Sequence, residues 1–174
     1  RDMRSQAVKG TYDVLPDRTP TWRFLRSTTE RVLGRAGVRE IVPPIFEHSD
    51  IFDKSVGESA DLVVQKEMYR FEDRGGRSLT LRPEFTAGVL RAYVEHGMHT
   101  LPSPVKLWSL GPAFRAENVQ RGRFRQFHQV NCELLGSPGP LVDAEAIALL
   151  HDLLHALGLP QLRVALGSVG DPED

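Results

Sequence analysis

The sequence predicts an α+β fold in which an antiparallel sheet is flanked by helices. Three features carry that reading. Residues 105–135 alternate apolar and polar side chains on either side of a short basic loop, the period-two pattern of paired strands. Two stretches, Thr19 to Gly37 and Asp143 to Leu157, repeat their apolar residues at helical spacing instead. Asp73-Arg74-Gly75-Gly76, between two short β-prone runs, supplies a hairpin turn. At 174 residues, one domain with a proper core is expected.

Each element has its own local signal. Thr19-Pro20 opens the first helix, threonine as N-cap and proline in the first turn, and Trp22, Leu25, Val32, Leu33 and Ala36 form its apolar stripe. Glu40 to Ile45 reads as a strand that Pro43-Pro44 confines to an edge or an interface. Phe46 to Val64 is mixed, with a short helix around Ser49 to Lys54. Met68 to Glu72 and Ser78 to Leu81 flank the hairpin turn. A helix follows from about Phe85 to His96, with Ala87, Leu90, Tyr93 and Val94 inward. Val105 to Leu110, Ala113 to Asn118 and Arg125 to Leu135 read as three strands. The second long helix, Asp143 to Leu157, is closed by Gly158 and Pro160, and Leu162 to Leu166 is a final strand. Asp171-Pro172-Glu173-Asp174 announces another helix; with arginine at position 1, it leads us to expect a piece of a longer protein.

Bulk properties narrow the function. Hydrophobic content of 40% and charged content of 26% are those of a soluble globular chain. A net charge of −1 argues against a dedicated nucleic-acid binder, so any RNA contact is expected from a local patch or from parts outside this sequence. The one cysteine, Cys132, excludes an internal disulfide framework and reads as packing. No apolar run approaches the roughly 20 residues needed to span a bilayer, and no secretory leader is evident, so a cytoplasmic location without membrane association is expected.

The chemistry concentrates around the basic loop. Arg115 and Glu117, two positions apart, share one face of their strand. Beyond the loop, Arg125, Phe127, Gln129, Asn131 and Glu133 fall on one face and Gln126, His128, Val130, Cys132 and Leu134 on the other. An arginine, an aromatic ring, two amides and a carboxylate in one row suit a small zwitterionic ligand beside a nucleotide. The loop carries Arg121, Arg123 and Arg125 around Gly122, a composition suited to a polyphosphate, because guanidinium binds phosphate bidentately. His151 and His155 are four apart on one helix but lack a third ligand, and no metal site is expected.

Phe114-Arg115-Ala116-Glu117, the arginine loop, and Arg125-Gln126-Phe127-His128-Gln129-Val130-Asn131-Cys132-Glu133 resemble motif 2 of the class II aminoacyl-tRNA synthetases, most closely the histidyl-tRNA synthetase family. Lys9-Gly10-Thr11-Tyr12-Asp13-Val14-Leu15-Pro16 is similar to that family's opening signature, and Pro43-Pro44-Ile45-Phe46-Glu47 resembles motif 1. Leu79-Thr80-Leu81-Arg82-Pro83-Glu84-Phe85-Thr86-Ala87-Gly88 resembles the segment that holds the amino acid's ammonium group. The resemblance runs from about Lys9 to the last residue in the family's order. It implies a class II synthetase-like antiparallel sheet, residues 1–174 forming the N-terminal portion of the catalytic domain with motifs 1 and 2. Motif 3 and an anticodon-binding domain are not found in this sequence.

The resemblance also implies roles. The reaction would be ATP-dependent activation of histidine and its attachment to tRNA(His), by a cytoplasmic homodimeric ligase. Arg115 would contact the α-phosphate and the histidine carboxylate as the catalytic arginine. Arg121 and Arg123 would hold the outer phosphates, Glu117 the adenine end, and Phe127 the adenine ring. Mg²⁺ is expected with the ATP. Glu84, with Thr86 beside it, would receive the α-ammonium, Gln129 the carboxylate or α-amino region, and Glu133 the imidazole N–H. Pro44 would lie at the dimer interface. Some of these residues have plainer readings: Glu84 as an acid at a helix start, Pro44 as a strand terminator, Phe127 as core. His128, on the apolar face, reads as structural. Two positions depart from the pattern. Phe85 replaces a usual glycine, either narrowing the amino-acid pocket or turning outward, and Asn118-Val119 replaces Arg-Pro. The alternative is a histidine-sensing regulatory subunit of ATP phosphoribosyltransferase, which shares the fold. Taken alone, this stretch is expected not to charge tRNA.

Overall fold

A computed structural model describes residues 6–55 and 66–167. In chain order these form α1 (Thr19–Arg35), β1 (Arg39–Glu40), β2 (Phe46–His48), α2 (Ser49–Ser55), β3 (Arg70–Glu72), β4 (Ser78–Leu81), α3 (Thr86–Glu95), a 3₁₀ turn (Met98–Thr100), β5 (Val105–Phe114), β6 (Gln126–Leu135) and α4 (Pro140–Ala156). The predicted α+β class holds. Two three-stranded sheets result, ordered β1-β5-β6 and β2-β4-β3. Pairing is antiparallel throughout except that β1 joins β5 in parallel, Arg39 opposite Leu107.

The β5–β6 ladder is the spine, and alternation along it builds a core on both faces. Trp108, with Leu110, Val130, Cys132 and Leu134, packs on one face against Leu33, Val38 and Leu149, that is, against α1 and α4. On the other face Val105, Leu107 and Leu135 pack against Phe85 and Val89 of the α3 region. A third cluster, Phe52, Met68 and Ala87, seats α2 on α3. Thr29, buried within α1, donates its hydroxyl to the Leu25 carbonyl at 2.8 Å, so the stripe carries a polar residue without an unmet donor. Between α1, β6 and α4 lies an apolar cavity of about 320 Å³ lined by Leu33, Val130, Cys132, Leu149, Leu153 and Leu157.

Several expectations change in detail. Val105 to Asn118 is not two strands, because β5 runs unbroken through Gly111-Pro112. The reason is the strand's alternation: the Pro112 carbonyl and the Phe114 N–H face Arg82, away from β6, so proline removes no ladder bond. Thr19 lies inside α1 and donates its hydroxyl to the Pro16 carbonyl at 2.9 Å, while Arg18 takes the N-cap position. The buried face of α3 is Ala87, Gly88, Val89 and Ala92; Leu90 and Val94 point outward. Small side chains let that helix approach its neighbours closely, which outweighs the bulk of the two leucine-like residues. α4 begins earlier than predicted, with Pro140 in its first turn. Residues 162–166 form no strand. The predicted helix start at Asp171 and the stretch 56–65 lie outside the described residues.

One side chain ties the two sheets together. Arg82, only 5% exposed, donates from Nε to the Pro112 carbonyl (2.8 Å) and from Nη1 to those of Pro43 (2.9 Å) and Pro44 (3.3 Å). Its guanidinium lies 4.0 Å over the Phe85 ring. Gly111 is the residue beneath it, and a Cβ there would fall 2.8 Å from Arg82 Nη2. Burial pushes the Arg82 pKa down, countered by the charge of Glu47. Glu47 in turn pairs with Arg91 at 2.6 Å, joining β2 to α3. Arg82→Met fills similar space but strands buried carbonyls, so it should lower unfolding free energy by about 3 kcal/mol in urea titration. Arg82→Lys should rescue only part of that loss, because an ammonium lacks the planar fork.

Candidate functional site

The site forms where the polar half of the β5–β6 face meets the N-terminus of α3. Below, this face is core; above, it carries Gln129, Asn131 and Glu133 opposite Gly111, Ser109 and Leu107. The chain reaches α3 through Arg82-Pro83-Glu84, and Phe114 N–H donates to the Arg82 carbonyl at 2.9 Å, so this connection lies along the end of β5. The α3 N-terminus, the strand end and the loop are thereby brought together.

Arg115 is held at both ends. Its backbone N–H donates to the Arg125 carbonyl at 2.9 Å and its Nε to the Pro83 carbonyl at 3.1 Å. Its guanidinium lies 5.1 Å from the Phe127 ring centroid, a cation–π approach on the same strand face. Glu84 turns its carboxylate onto the first turn of α3, accepting from the backbone N–H groups of Thr86 and, at 3.1 Å, Ala87. The plainer reading of Glu84 is therefore realised in the geometry, and the acid complements the helix dipole. Thr86 donates its hydroxyl to Glu133 Oε1 at 2.6 Å, and Asn131 Nδ2 donates to the same oxygen at 3.2 Å. Two donors on one oxygen fix the carboxylate's orientation. Gln129 Oε1 is buried with no hydrogen-bond partner among the described residues. A buried amide oxygen without a donor is costly, and such an atom in a polar cleft is suited to receive an N–H from a ligand.

The loop is a tight hairpin rather than an open excursion. Gln120 and Arg123 exchange backbone hydrogen bonds of 3.3 and 2.9 Å, leaving Arg121-Gly122 at the tip. Arg123 Nη1 lies 3.6 Å from Glu117 Oε2, so a predicted phosphate ligand and a predicted adenine-end acid pair with each other. Arg121 is exposed. Pro44 is exposed too, flanked by exposed Val42, Ile45 and Phe46, and its carbonyl accepts from Arg82.

Arg115, Phe127, Glu84, Thr86, Gln129 and Glu133 thus share one neighbourhood, with Glu117, Arg121 and Arg123 on the adjoining hairpin. Phe85 neither narrows that neighbourhood nor turns outward: it is 2% exposed, packed in the core below Arg82. His128 rests on Trp22 of α1, ring centroids 4.3 Å apart, and burial lowers its pKa. Burial, with Glu133 and Glu145 nearby, pushes the Cys132 thiol up to about 11, the behaviour of a packing thiol. Among the described residues no group of three or more His, Cys, Asp or Glu side chains converges. Sequence reasoning missed Arg82 and the positioning bond from Asn131. An arginine inside Leu79-Thr80-Leu81-Arg82-Pro83 is the signal for the first, since a charge in an apolar run needs partners.

Known proteins resemble this chain over nearly its whole length. A family model described as histidyl-tRNA synthetase matches residues 10–170. A histidine–tRNA ligase of Thermus thermophilus is 55% identical over 172 residues, covering 99% of this chain and 41% of that protein. The chain therefore spans about two fifths of the length of the curated relatives it matches. The apo S. aureus histidyl-tRNA synthetase crystal structure superposes with TM-score 0.74 at 37% identity, covering 88% of this chain and 35% of that one. An ATP phosphoribosyltransferase regulatory subunit/histidyl-tRNA synthetase from Bacillus halodurans superposes with TM-score 0.76 at 22% identity, covering 91% of this chain and 39% of that one, a likeness of fold alone. No helix among the described residues is long and apolar enough to cross a membrane.

Two measurements follow from the geometry. Thr86→Val keeps the shape but removes a donor from Glu133 and should cost about 1–2 kcal/mol in urea unfolding. At pH 8, Cys132 in the folded protein should react with iodoacetamide roughly a hundredfold more slowly than free cysteine, because little thiolate forms below a pKa of about 11. Urea should abolish the difference.

Proposed function

We propose a function from one premise: this chain belongs to the histidyl-tRNA synthetase family. In the full-length protein the chain supplies the N-terminal part of the catalytic domain, motifs 1 and 2, for histidine activation by ATP and transfer to tRNA(His). The observation that carries this reading is the row on β6, where the buried Gln129 Oε1 has no partner among the described residues and Glu133, four positions along the same face, has its carboxylate fixed by Thr86 and Asn131. An amide acceptor and an oriented acid spaced along one strand face suit a ligand with two separated N–H groups, an α-ammonium and an imidazole.

In this reading the histidine carboxylate attacks the α-phosphorus and pyrophosphate leaves. Arg115 meets the charge that develops on the phosphoryl oxygens; its hold on the Pro83 carbonyl and the Phe127 ring presets it, and electrostatic preorganisation of this kind is usually the largest catalytic contribution. Phe127 offers its ring to adenine, and Arg121 and Arg123 take the outer phosphates, Arg123 exchanging Glu117 for phosphate. Mg²⁺ arrives with ATP as part of the substrate, held mainly by phosphates and water. Glu133 selects histidine because a competitor without the imidazole N–H displaces water from the second carboxylate oxygen, Oε2, and gives it no donor in return. Glu84, engaged with the α3 backbone, offers its carboxylate to the α-ammonium from a fixed position. The exposed apolar patch around Pro44 supports a homodimer, and a cytoplasmic location follows from the activity.

A regulatory subunit without charging activity is the competing reading. Identity of 55% to a histidine–tRNA ligase weighs against it, since the regulatory likeness stands at 22% and speaks for fold alone.

The full-length protein should catalyse histidine-dependent exchange of pyrophosphate into ATP. Arg115→Ala should reduce kcat for exchange by about 10²–10³ while histidine binding changes little, and Glu133→Gln should mainly raise KM for histidine. Histidine binding by calorimetry without any exchange would favour the regulatory reading.

A further inference from the structure

We infer that Lys9–Tyr12 is a strap that positions the ATP loop, with Gly10 as its positioning residue; this rests on the reading of the loop as the polyphosphate site. The loop's two limbs leave β5 and return to β6 close together, and the returning limb is bonded on both sides. Arg125 N–H donates to the Gly10 carbonyl at 2.8 Å, and Gln126 N–H reaches the same oxygen at 3.3 Å. On its other side, the Arg125 carbonyl receives the Arg115 N–H. The register of Arg115, the residue on which the proposed chemistry depends, is therefore set through Arg125 by the N-terminal segment.

The Arg125 side chain adds a stay across the base of the hairpin. Nε makes a long bond to the Glu117 carbonyl (3.4 Å), at the loop's start, and Nη1 a long bond to the Lys9 carbonyl (3.5 Å). Arg125 is thus occupied with backbone and acts through the loop rather than on phosphate. Gly10 is where the strap meets both limbs. A Cβ there would fall 2.8 Å from Arg125 Cγ and 2.8 Å from Val119 Cγ2. Its φ of +89° is a conformation that other residues resist. Two residues on, the Tyr12 ring stands edge-on to Phe124 at 5.1 Å, and Thr11 closes a turn onto the Val8 carbonyl.

A hairpin crowded with arginines repels itself, and ordering it only when ATP binds would subtract from affinity. The strap orders its base beforehand and leaves the Arg121-Gly122 tip free to close. Glu84, Gln129 and Glu133 receive nothing from the strap, so loosening it acts on ATP far more than on histidine, which it reaches only through Arg115.

The test uses the full-length protein, with pyrophosphate exchange at varied ATP and histidine and hydrogen exchange without ligands. Gly10→Ala should raise KM for ATP by about 10–100-fold, the scale expected for misplacement of order one ångström, with KM for histidine within about twofold. Amides of residues 118–125 should exchange faster while those of α4 are unchanged. Tyr12→Leu leaves the backbone unstrained and should raise KM for ATP by about three- to tenfold, the scale of one aromatic pair. If Gly10→Ala does not fold, Tyr12→Leu decides. Unchanged KM for ATP in a folded variant, or parallel rises in both KM values, would overturn the inference. A wild-type protein that performs no exchange sinks the synthetase reading instead, and the hydrogen-exchange comparison then still decides whether the strap orders the loop.

Discussion

Arg82 is the interaction on which the arrangement depends. A buried guanidinium is expensive, and here it is compensated by three proline carbonyls and an aromatic face, with the charge of Glu47 nearby. Proline residues donate nothing to a ladder, and these three carbonyls, two between β1 and β2 and one on the side of β5 that faces away from β6, are available to a side chain. The result joins the segment before β2, the connection into α3 and the upper half of β5. Arg82 itself touches no proposed substrate group. It sets the distance between the α3 N-terminus, with Glu84 and Thr86, and the strand that continues into Arg115.

Core and site share one sheet face, which explains why they are hard to separate. Leu135 sits in the core with Phe85 and Val105, Glu133 two positions along bonds Thr86, and Gln129 lies higher with an unmet oxygen. Polarity rises along a single strand. Thr86 and Asn131 are the hinge of that gradient, since they satisfy Glu133 while standing directly above apolar packing. The plain and functional readings of Glu84 are compatible for the same reason: a carboxylate that caps a helix is also a carboxylate held still.

Much of this was legible in the sequence where a single period or a local turn decided the outcome. The faces of β6 fell as alternation required, Val130, Cys132 and Leu134 inward to α1 and α4, and the Asp73 turn formed with its carboxylate accepting from Gly75 and Arg77 N–H groups. Where tertiary contacts chose between options, the sequence was silent or misleading. Leu90 and Val94 matched a helical stripe as well as Val89 did, and only packing against Val105, Leu107 and Leu135 of the β5–β6 sheet selected Val89, with Tyr93, over them. Pro112 looked like a strand end because its neighbour on the far side, Arg82, lies 30 residues away. The readings of Phe85 failed likewise, since its ring serves a guanidinium that no local pattern reveals. The motif resemblance named the candidate site residues, but not that Arg123 and Glu117 pair or that Asn131 supports Glu133.

The bond between the strap and the loop also orders events in time. Arg125 and Lys9 are 116 residues apart, a separation that makes their contact among the slowest to close by chain diffusion. On a ribosome adding about 5–20 residues per second, Lys9–Tyr12 emerges roughly 6–23 s before its partner does. During that interval α1 has somewhere to fold, because its turns are local, while the strap has nothing to bind. The base of the hairpin is therefore completed late, only once Arg125 has emerged, whereas α1, α2 and α3 have all left the ribosome by then.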